Sequence, residues 1–492
     1  MGGRVRVGGS VGGSVGGSVG VGVGVSERVG VRGEIALDAV VLVIAKAALS
    51  VWIWHLGFSH VSDDDYARVV IAEQFAHAPQ LDPSGTSWLP LPFWVNGAAM
   101  MVFGRSIETA RGVALVLGAV SVAAPYVALR AVGVARGVAV AGVVVAMTVP
   151  WNAWLGAATV PEASTAALIA VGAIAMGSAR ASVHVWGAGA LAVAALSRYE
   201  AWPVCAVMAV VAGAGAVGAW RRVGVGVGDG GGGDGRAQSD GDARVGVGAR
   251  EARCEIVAAL IAVSAPIAWM AWNAHAHGDA FHFLARVAAF RQASGAAAVP
   301  LAEKLLGYPR AIVDAMAGLL PLAVVGVVAL GDGDVRRRWR APLAAMATML
   351  AFLIYGDVRD GAPTHHAERA VVALCWVIAA FGADGARSIA RRFAWRRPKR
   401  EMFVVGAIAA FAVGWMGAVL EAWREYPARG EEERRELQVA RGRELRARGV
   451  VVMVTPCAFE HFALIAAFGA PENTRVVAAS RRAVTAECPA AE

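Results

Sequence analysis

Apolar residues dominate this chain in long blocks, and polar residues gather in the short stretches between them. The blocks run about 17 to 25 residues, the length a helix needs to cross a bilayer. They fall at about 35–58, 108–129, 136–150, 160–178, 184–198, 200–219, 254–273, 311–330, 341–356, 367–385 and 402–420. The pattern predicts an α-helical polytopic membrane protein with about eleven transmembrane helices. Block 88–103 (WLPLPFWVNGAAMMVF) is apolar but short, and Pro90 and Pro92 open it. If it spans, every later loop changes sides.

Positive charge decides between the two frames. If 88–103 does not span, the loops holding Arg130 and Arg136, Arg180, Arg221 and Arg222, Arg336 to Arg340, and Arg387 to Arg400 all face the cytoplasm. Short cytoplasmic loops carry the excess of Arg and Lys, so this frame satisfies the rule and the other inverts it. Residues 88–103 are therefore expected to form a helix lying in the outer interface or re-entering, with Trp88 and Trp94 at headgroup level. The N-terminus is then cytoplasmic and the C-terminus extracytoplasmic.

Composition agrees. Of 492 residues, 57% are hydrophobic and 17% charged, with mean hydropathy +0.54, where soluble proteins carry about a quarter charged. That excludes a soluble enzyme, a nucleic-acid-binding module and a disordered scaffold. The net charge of +8 reflects cytoplasmic loops rather than a nucleic-acid partner.

Residues 1–33 repeat Gly, Val and Ser and read as a disordered leader. Residues 34–420 form the transmembrane domain, within which 221–253 reads as a flexible Gly-rich cytoplasmic linker. Gly228, Gly230 and Gly233 match GxGxxG, but no strand precedes them and no nucleotide site is expected. Residues 421–492 change character, with a charged helical stretch, VVVMVTP, CAFEHFALIAAFG and RVVAAS in succession. This order predicts a small extracytoplasmic α/β domain, an accessory lid or acceptor-handling element. Cys205, Cys254 and Cys375 fall in apolar blocks and read as packing residues. Cys457 and Cys488 lie in the polar tail, where a disulfide is open.

With orientation set, polar residues converge on the outer face. The first external loop carries Ser62-Asp63-Asp64-Asp65-Tyr66-Ala67-Arg68. Three adjacent carboxylates repel one another and persist where a cation, a metal or a proton-accepting role compensates. If Asp64 starts a helix, Arg68 stands one turn later and can pair with it. A solvated acidic loop at a helix N-terminus is the plain alternative. Glu162 opens the fourth span, and Arg198 and Glu200 bracket the junction of the fifth and sixth. The loop before the tenth carries His365, His366, Glu368 and Arg369. Charges at membrane depth cost about 2.5–3.5 kcal/mol each, so they pair or line a polar cavity. Their convergence favours a site at the outer face over separate span-flanking ion pairs. Adjacent histidines lack the i, i+3 or i, i+4 spacing of a helical zinc site. Within the first span, Asp38 lies near the inner end and can snorkel, and Lys46, deeper, is expected in a helix–helix salt bridge.

The order SDDDYAR, WLPLPFWVNGAAMMVFG, Arg111, PWNAWLGAATVPEAS and LSRYEAWP resembles the GT-C fold glycosyltransferases that use polyprenyl-phosphate sugars, such as protein O-mannosyltransferases and lipid A aminoarabinose transferases. It covers about residues 35 to 220. The sequence departs from the family where Asp-Asp-Asp replaces an Asp-Glu pair and Ser87-Trp88 replaces a His or Lys. The resemblance implies inverting transfer of a sugar from a polyprenyl-phosphate donor to a lipid, glycan or protein acceptor hydroxyl. Asp64 would be the general base, with Asp63 or Asp65 orienting the acceptor or holding a divalent cation, the one cofactor left open. Arg68, Arg198 and Arg369 would stabilise the departing phosphate, and Trp88, Glu162, Glu200, His365 and His366 would complete the substrate site.

Two other classes compete. A transporter or flippase also places charges at membrane depth, but its substrate residues lie near the midplane, often in inverted repeats; here they lie at outer span ends and no repeat is evident. A non-catalytic membrane assembly protein leaves the acidic triplet unexplained.

Overall fold

The computed structural model describes residues 20–85, 87–228, 235–293, 299–359, 366–394, 411, 413–449, 451–454 and 461–476. Helices account for most of them. The chain opens with α1 (Gly20–His55), α2 (Asp64–His77), α3 (Leu91–Phe103), α4 (Ile107–Ser121), α5 (Ala123–Ala131) and α6 (Arg136–Thr148). It continues with α7 (Pro150–Leu155), α8 (Glu162–Ala175), α9 (Ala181–Ala195), α10 (Ala201–Gly228), α11 (Gly235–His277) and α12 (His282–Ala293). Then come α13 (Leu301–Met316), α14 (Leu320–Ala329), α15 (Gly333–Val358), α16 (Glu368–Ala394) and α17 (Val413–Ala422). The C-terminal segment is α18 (Glu432–Arg448), β1 (Val452–Val454), α19 (His461–Phe468) and β2 (Thr474–Val476), the strands pairing in parallel with Val452 opposite Thr474.

Six stretches among the described residues are long and apolar enough to cross a membrane: Arg32–His55, Ile107–Ala131, Ala201–Val223, Gly246–His277, Gly333–Val358 and Glu368–Arg392. Shorter apolar helices, α3, α6, α8, α9 and α17, stand among them. Trp186, Val210, Leu260 and Val327 stand outward, mostly exposed, as residues facing lipid do. Inward, small residues bring backbones together. A Cβ on Gly142 of α6 would lie 2.9 Å from Ala380 Cα of α16, and one on Gly385 equally close to Gly326 of α14. Such close approaches are how helices associate where lipid removes the hydrophobic drive.

The structure changes several expectations. Helix α1 begins at Gly20, so Gly20–Gly33, expected within a disordered leader, is helical. The expected linker at 221–253 is largely helix, because α10 and α11 pack as an antiparallel pair. Arg222 reaches Glu251 at 2.9 Å, and Gly248 lies under Val223; glycine costs about 1 kcal/mol in a helix but permits this approach. The expected span 311–330 is broken, since α13 and α14 meet at 101°. Pro321, which lacks an N–H, sits in the first turn of α14, where that group needs no helical partner. The start of the expected span 402–420, and Cys457 and Cys488, lie outside the described residues.

Helix α3 is short of a bilayer: 13 residues cover about 20 Å at 1.5 Å each, against about 30 Å of hydrocarbon. Lys46 has no carboxylate partner among the described residues; its amine donates to the Asn152 carbonyl at 2.8 Å, so the expected salt bridge is a hydrogen bond to α7. The broken backbone between α6 and α8 supplies that acceptor. Asp38 is held by Arg136 (2.8 Å) and Tyr126 (2.5 Å).

Most buried residues belong to one core that runs through α1, α5–α11 and α13–α17. A second core joins Tyr66, Val69 and Val70 of α2 to Met100 of α3 and to Val452, Leu464 and Phe468 of the C-terminal segment. The C-terminal segment therefore shares its core with the first loop.

Candidate active site

The site begins where α1 ends. Asp63 is the N-cap of α2, and Asp64 and Asp65 occupy its first turn, where the helix dipole favours carboxylates. From there the three acids part. Asp65, 3% exposed, turns back under its own loop. Its Oδ2 accepts the Val61 and Ser62 N–H groups at 3.0 and 3.3 Å. Its Oδ1 accepts the Thr159 N–H at 2.9 Å, with the Thr159 hydroxyl at 3.1 Å. Burial pushes the Asp65 pKa up against these bonds and against nearby His60 and Arg369. Burial likewise holds His60 below its ordinary value.

Asp63 points to the C-terminal segment, where Arg435 donates from Nε and Nη2 at 2.8 and 3.0 Å. Asp64 is the most open of the three, its side chain 41% exposed. It accepts from Arg369 Nη1 at 2.9 Å.

Arg369 is buried at the head of α16, and the rest of its guanidinium grips Glu162 Oε1, at 3.0 Å from Nε and 2.5 Å from Nη2. Glu162, in the first turn of α8, also receives Arg198, which in turn holds Glu200 at 2.8 Å from Nε. The chain Asp64–Arg369–Glu162–Arg198–Glu200 thus ties the starts of α2, α8, α10 and α16 into one ionic network. Paired charges inside a membrane protein are the affordable kind.

Arg68 completes the cluster differently. The expected pairing with Asp64 one turn away is absent, because the guanidinium lies over the Trp88 ring, 4.4 Å from its centroid, and near Phe93 at 5.8 Å. Flat stacking suits a delocalised cation. Arg68 is buried, no carboxylate lies within 4.0 Å among the described residues, and its Nε has no partner. Burial lowers its pKa while Glu162 and Asp64 raise it, and an arginine remains charged regardless. Glu162 Oε2 is likewise buried without a partner. Buried polar atoms are otherwise almost always satisfied, so the site has a donor and an acceptor to offer.

Of the residues expected from sequence, Asp63, Asp64, Asp65, Arg68, Trp88, Glu162, Arg198, Glu200 and Arg369 gather here. His366, with φ of 55°, packs its ring on Trp151 at 5.6 Å. His365 lies outside the described residues. Among the described residues no three His, Cys, Asp or Glu side chains form a group suited to a metal ion. The acids are instead held apart by Arg435, Arg369 and the loop backbone. Sequence reasoning missed Thr159 and Arg435. Thr159 stands three residues before Glu162, where a polar group at a span mouth was a usable signal. Arg435 lies in EEERRE, where nothing distinguishes it from its neighbours.

An apolar groove runs beside the network between α3, α4, α8 and α9. It encloses about 140 Å³ and is lined by Leu91, Val113, Leu117, Leu155 and Val160, with Thr159 and Pro161 also in its wall.

The architecture has known counterparts. It is similar to an oligosaccharyltransferase of Archaeoglobus fulgidus, solved tethered to an acceptor peptide containing the NVT sequon (TM-score 0.51, 13% identity, covering 88% of this chain and 63% of that one). It is also similar to ArnT from Cupriavidus metallidurans, solved bound to undecaprenyl phosphate (TM-score 0.50, 13% identity, covering 89% of this chain and 89% of that one). The chain thus spans less than two thirds of the oligosaccharyltransferase. Both structures have the GT-C fold, and this chain shares it. No family model and no curated protein matches the sequence.

Proposed function

We propose that this protein is a multi-pass membrane glycosyltransferase that moves a sugar from a polyprenyl-phosphate donor to an acceptor hydroxyl on the outer face of the membrane. One observation carries the reading. Of three adjacent carboxylates, Asp64 alone combines an open side chain with a place in the arginine network, while buried Arg68 has no carboxylate within 4.0 Å among the described residues. The pair supplies what the chemistry needs: an acceptor for the incoming hydroxyl's proton, and a cation for the departing phosphate.

In this mechanism the donor's prenyl chain lies in the apolar groove and its phosphate meets Arg68. The acceptor hydroxyl gives its proton to Asp64 and attacks the anomeric carbon from the face opposite the phosphate. The C–O bond to phosphate breaks with inversion. Arg369 holds Asp64 directly and is itself fixed by Glu162. The nature of ArnT's bound lipid phosphate supports this class of donor. Because such a donor is already in the membrane, no nucleotide-binding domain is required.

The test is transfer by the full-length protein in proteoliposomes containing labelled polyprenyl-phosphate sugars, with and without chelator. Asp64→Asn is expected to lower turnover by about 10²–10⁴-fold, the range for a removed general base, with donor binding retained. Arg68→Lys keeps the charge but loses the stacked fork and is expected to weaken donor binding. Full turnover in Asp64→Asn would overturn the assignment of the base.

A further inference from the structure

The C-terminal segment meets the acid triplet itself at one buried residue. Arg435 is 3% exposed, the one arginine of α18 buried to that degree, and its side chain makes a two-bond fork to Asp63. An aspartate at an N-cap ordinarily accepts a hydrogen bond from the first turn of its own helix. Asp63 makes no such bond; its carboxylate is turned outward to the arginine. The loop has given up a cap to make a connection between parts of the chain more than 370 residues apart, a separation of 372.

Neighbouring contacts hold the same strip. Tyr426 sets its ring edge-on to Phe58 at 5.5 Å, and its hydroxyl crosses Gly57, where a Cβ would stand 3.2 Å away. Gly57 has φ of 98°, so the chain turns there without a side chain. Glu431, which also pairs with Arg435 at 3.0 Å, lies 3.9 Å from His60 Nε2. Trp423 donates to the Thr148 carbonyl at 3.0 Å and accepts from Trp154 at 3.1 Å. The segment from Trp423 to Arg435 therefore clasps two backbone stretches next to the site: residues 57–63 and the break around α7.

We propose that Arg435 is a positioning residue: its ion pair with Asp63 sets where the first turn of α2, and with it Asp64, stands against the Arg369–Glu162 network. This rests on the reading of the site as a glycosyltransferase centre. Arg435 touches no substrate. It fixes the residue next to the base, and a displacement of about 1 Å in a reacting group can cost about 10²-fold in rate.

The test is a cycle of Arg435→Gln, Asp63→Asn and the double variant in the full-length protein. Each single change is expected to lower kcat by about 10–100-fold with the donor KM little moved. The double variant should be no worse than the slower single, and Arg435→Lys should recover part of the rate. Hydrogen exchange over residues 56–66 should be faster in Arg435→Gln than in the wild type. Unchanged kcat in both singles, or strictly additive losses, would overturn the proposal. Unchanged exchange would overturn it independently of activity, so a wild type that transfers no sugar would sink the glycosyltransferase reading while leaving this connection testable.

Discussion

Asp65→Asn separates a residue that holds the site from one that works in it. The carboxylate is buried, and each oxygen faces donors from a different stretch of chain: Val61 and Ser62 N–H on one side, Thr159 on the other. An asparagine of the same shape keeps one oxygen. In either orientation its NH₂ confronts donors that formerly met an acceptor. Two hydrogen bonds to a charged group are lost at about 1.5–3 kcal/mol each. Neutralising a carboxylate whose burial opposes its charge recovers part of that, leaving about 2–4 kcal/mol of destabilisation. Asp64, half open and held by one arginine, should cost no more than about 1 kcal/mol on the same change. Thermal unfolding of the purified variants in one detergent checks the difference. Asp65→Asn should melt several degrees lower than Asp64→Asn, and its hydrogen exchange at residues 158–160 should rise. An Asp65→Asn protein that melts with the wild type yet transfers no sugar would refute the division of roles and move Asp65 into the chemistry.

Glu162→Gln leaves Arg198 and Arg369 buried with half their compensation, and breaking a buried ion pair costs about 3–5 kcal/mol; the melting temperature should fall further than in Glu200→Gln, and equal melting of the two would contradict the central place of Glu162. Glu73, in α2, is 0% exposed, neither of its oxygens has a partner among the described residues, and burial raises its pKa well above the ordinary 4.5. A group whose pKa is raised by folding contributes stability that is complete below its unfolded value and lost as pH climbs through the folded one. The melting temperature should therefore decline as pH rises above about 4.5, and Glu73→Gln should flatten that slope and melt higher at neutral pH; an identical slope in the variant would exclude Glu73 as its source. Single cysteines at Ser87 and Asp332 should label from outside and inside respectively, and an inward Ser87 would invert the proposed orientation.

The helical, membrane-crossing character of the chain was legible because it depends on composition within windows of about twenty residues. So was the limited length of α3, which Pro90 and Pro92 announce. The gathering of Asp64, Glu162, Arg198 and Arg369 could be inferred because each stands at the same end of its span. Less could be read where glycine was concerned. Its cost to a helix predicted a linker at 221–253, but the contact between α10 and α11 that offsets the cost is tertiary. The 101° break after α13 was hidden in the same way, since AGLLPLA is apolar enough for a continuous span.

Hydrophobic periodicity and loop charge by themselves determined a bundle of apolar helices and pointed to a set of acids and arginines at the mouths of several spans. They could not apportion three identical aspartates. Which one closes a loop, which one ties down the C-terminal segment and which one stays open is decided by partners at Thr159, Arg435 and Arg369. Those partners lie from 94 to 372 residues away, and only the tertiary placement of the loop before α8, the head of α16 and the start of α18 beside the first turn of α2 brings them within hydrogen-bond reach.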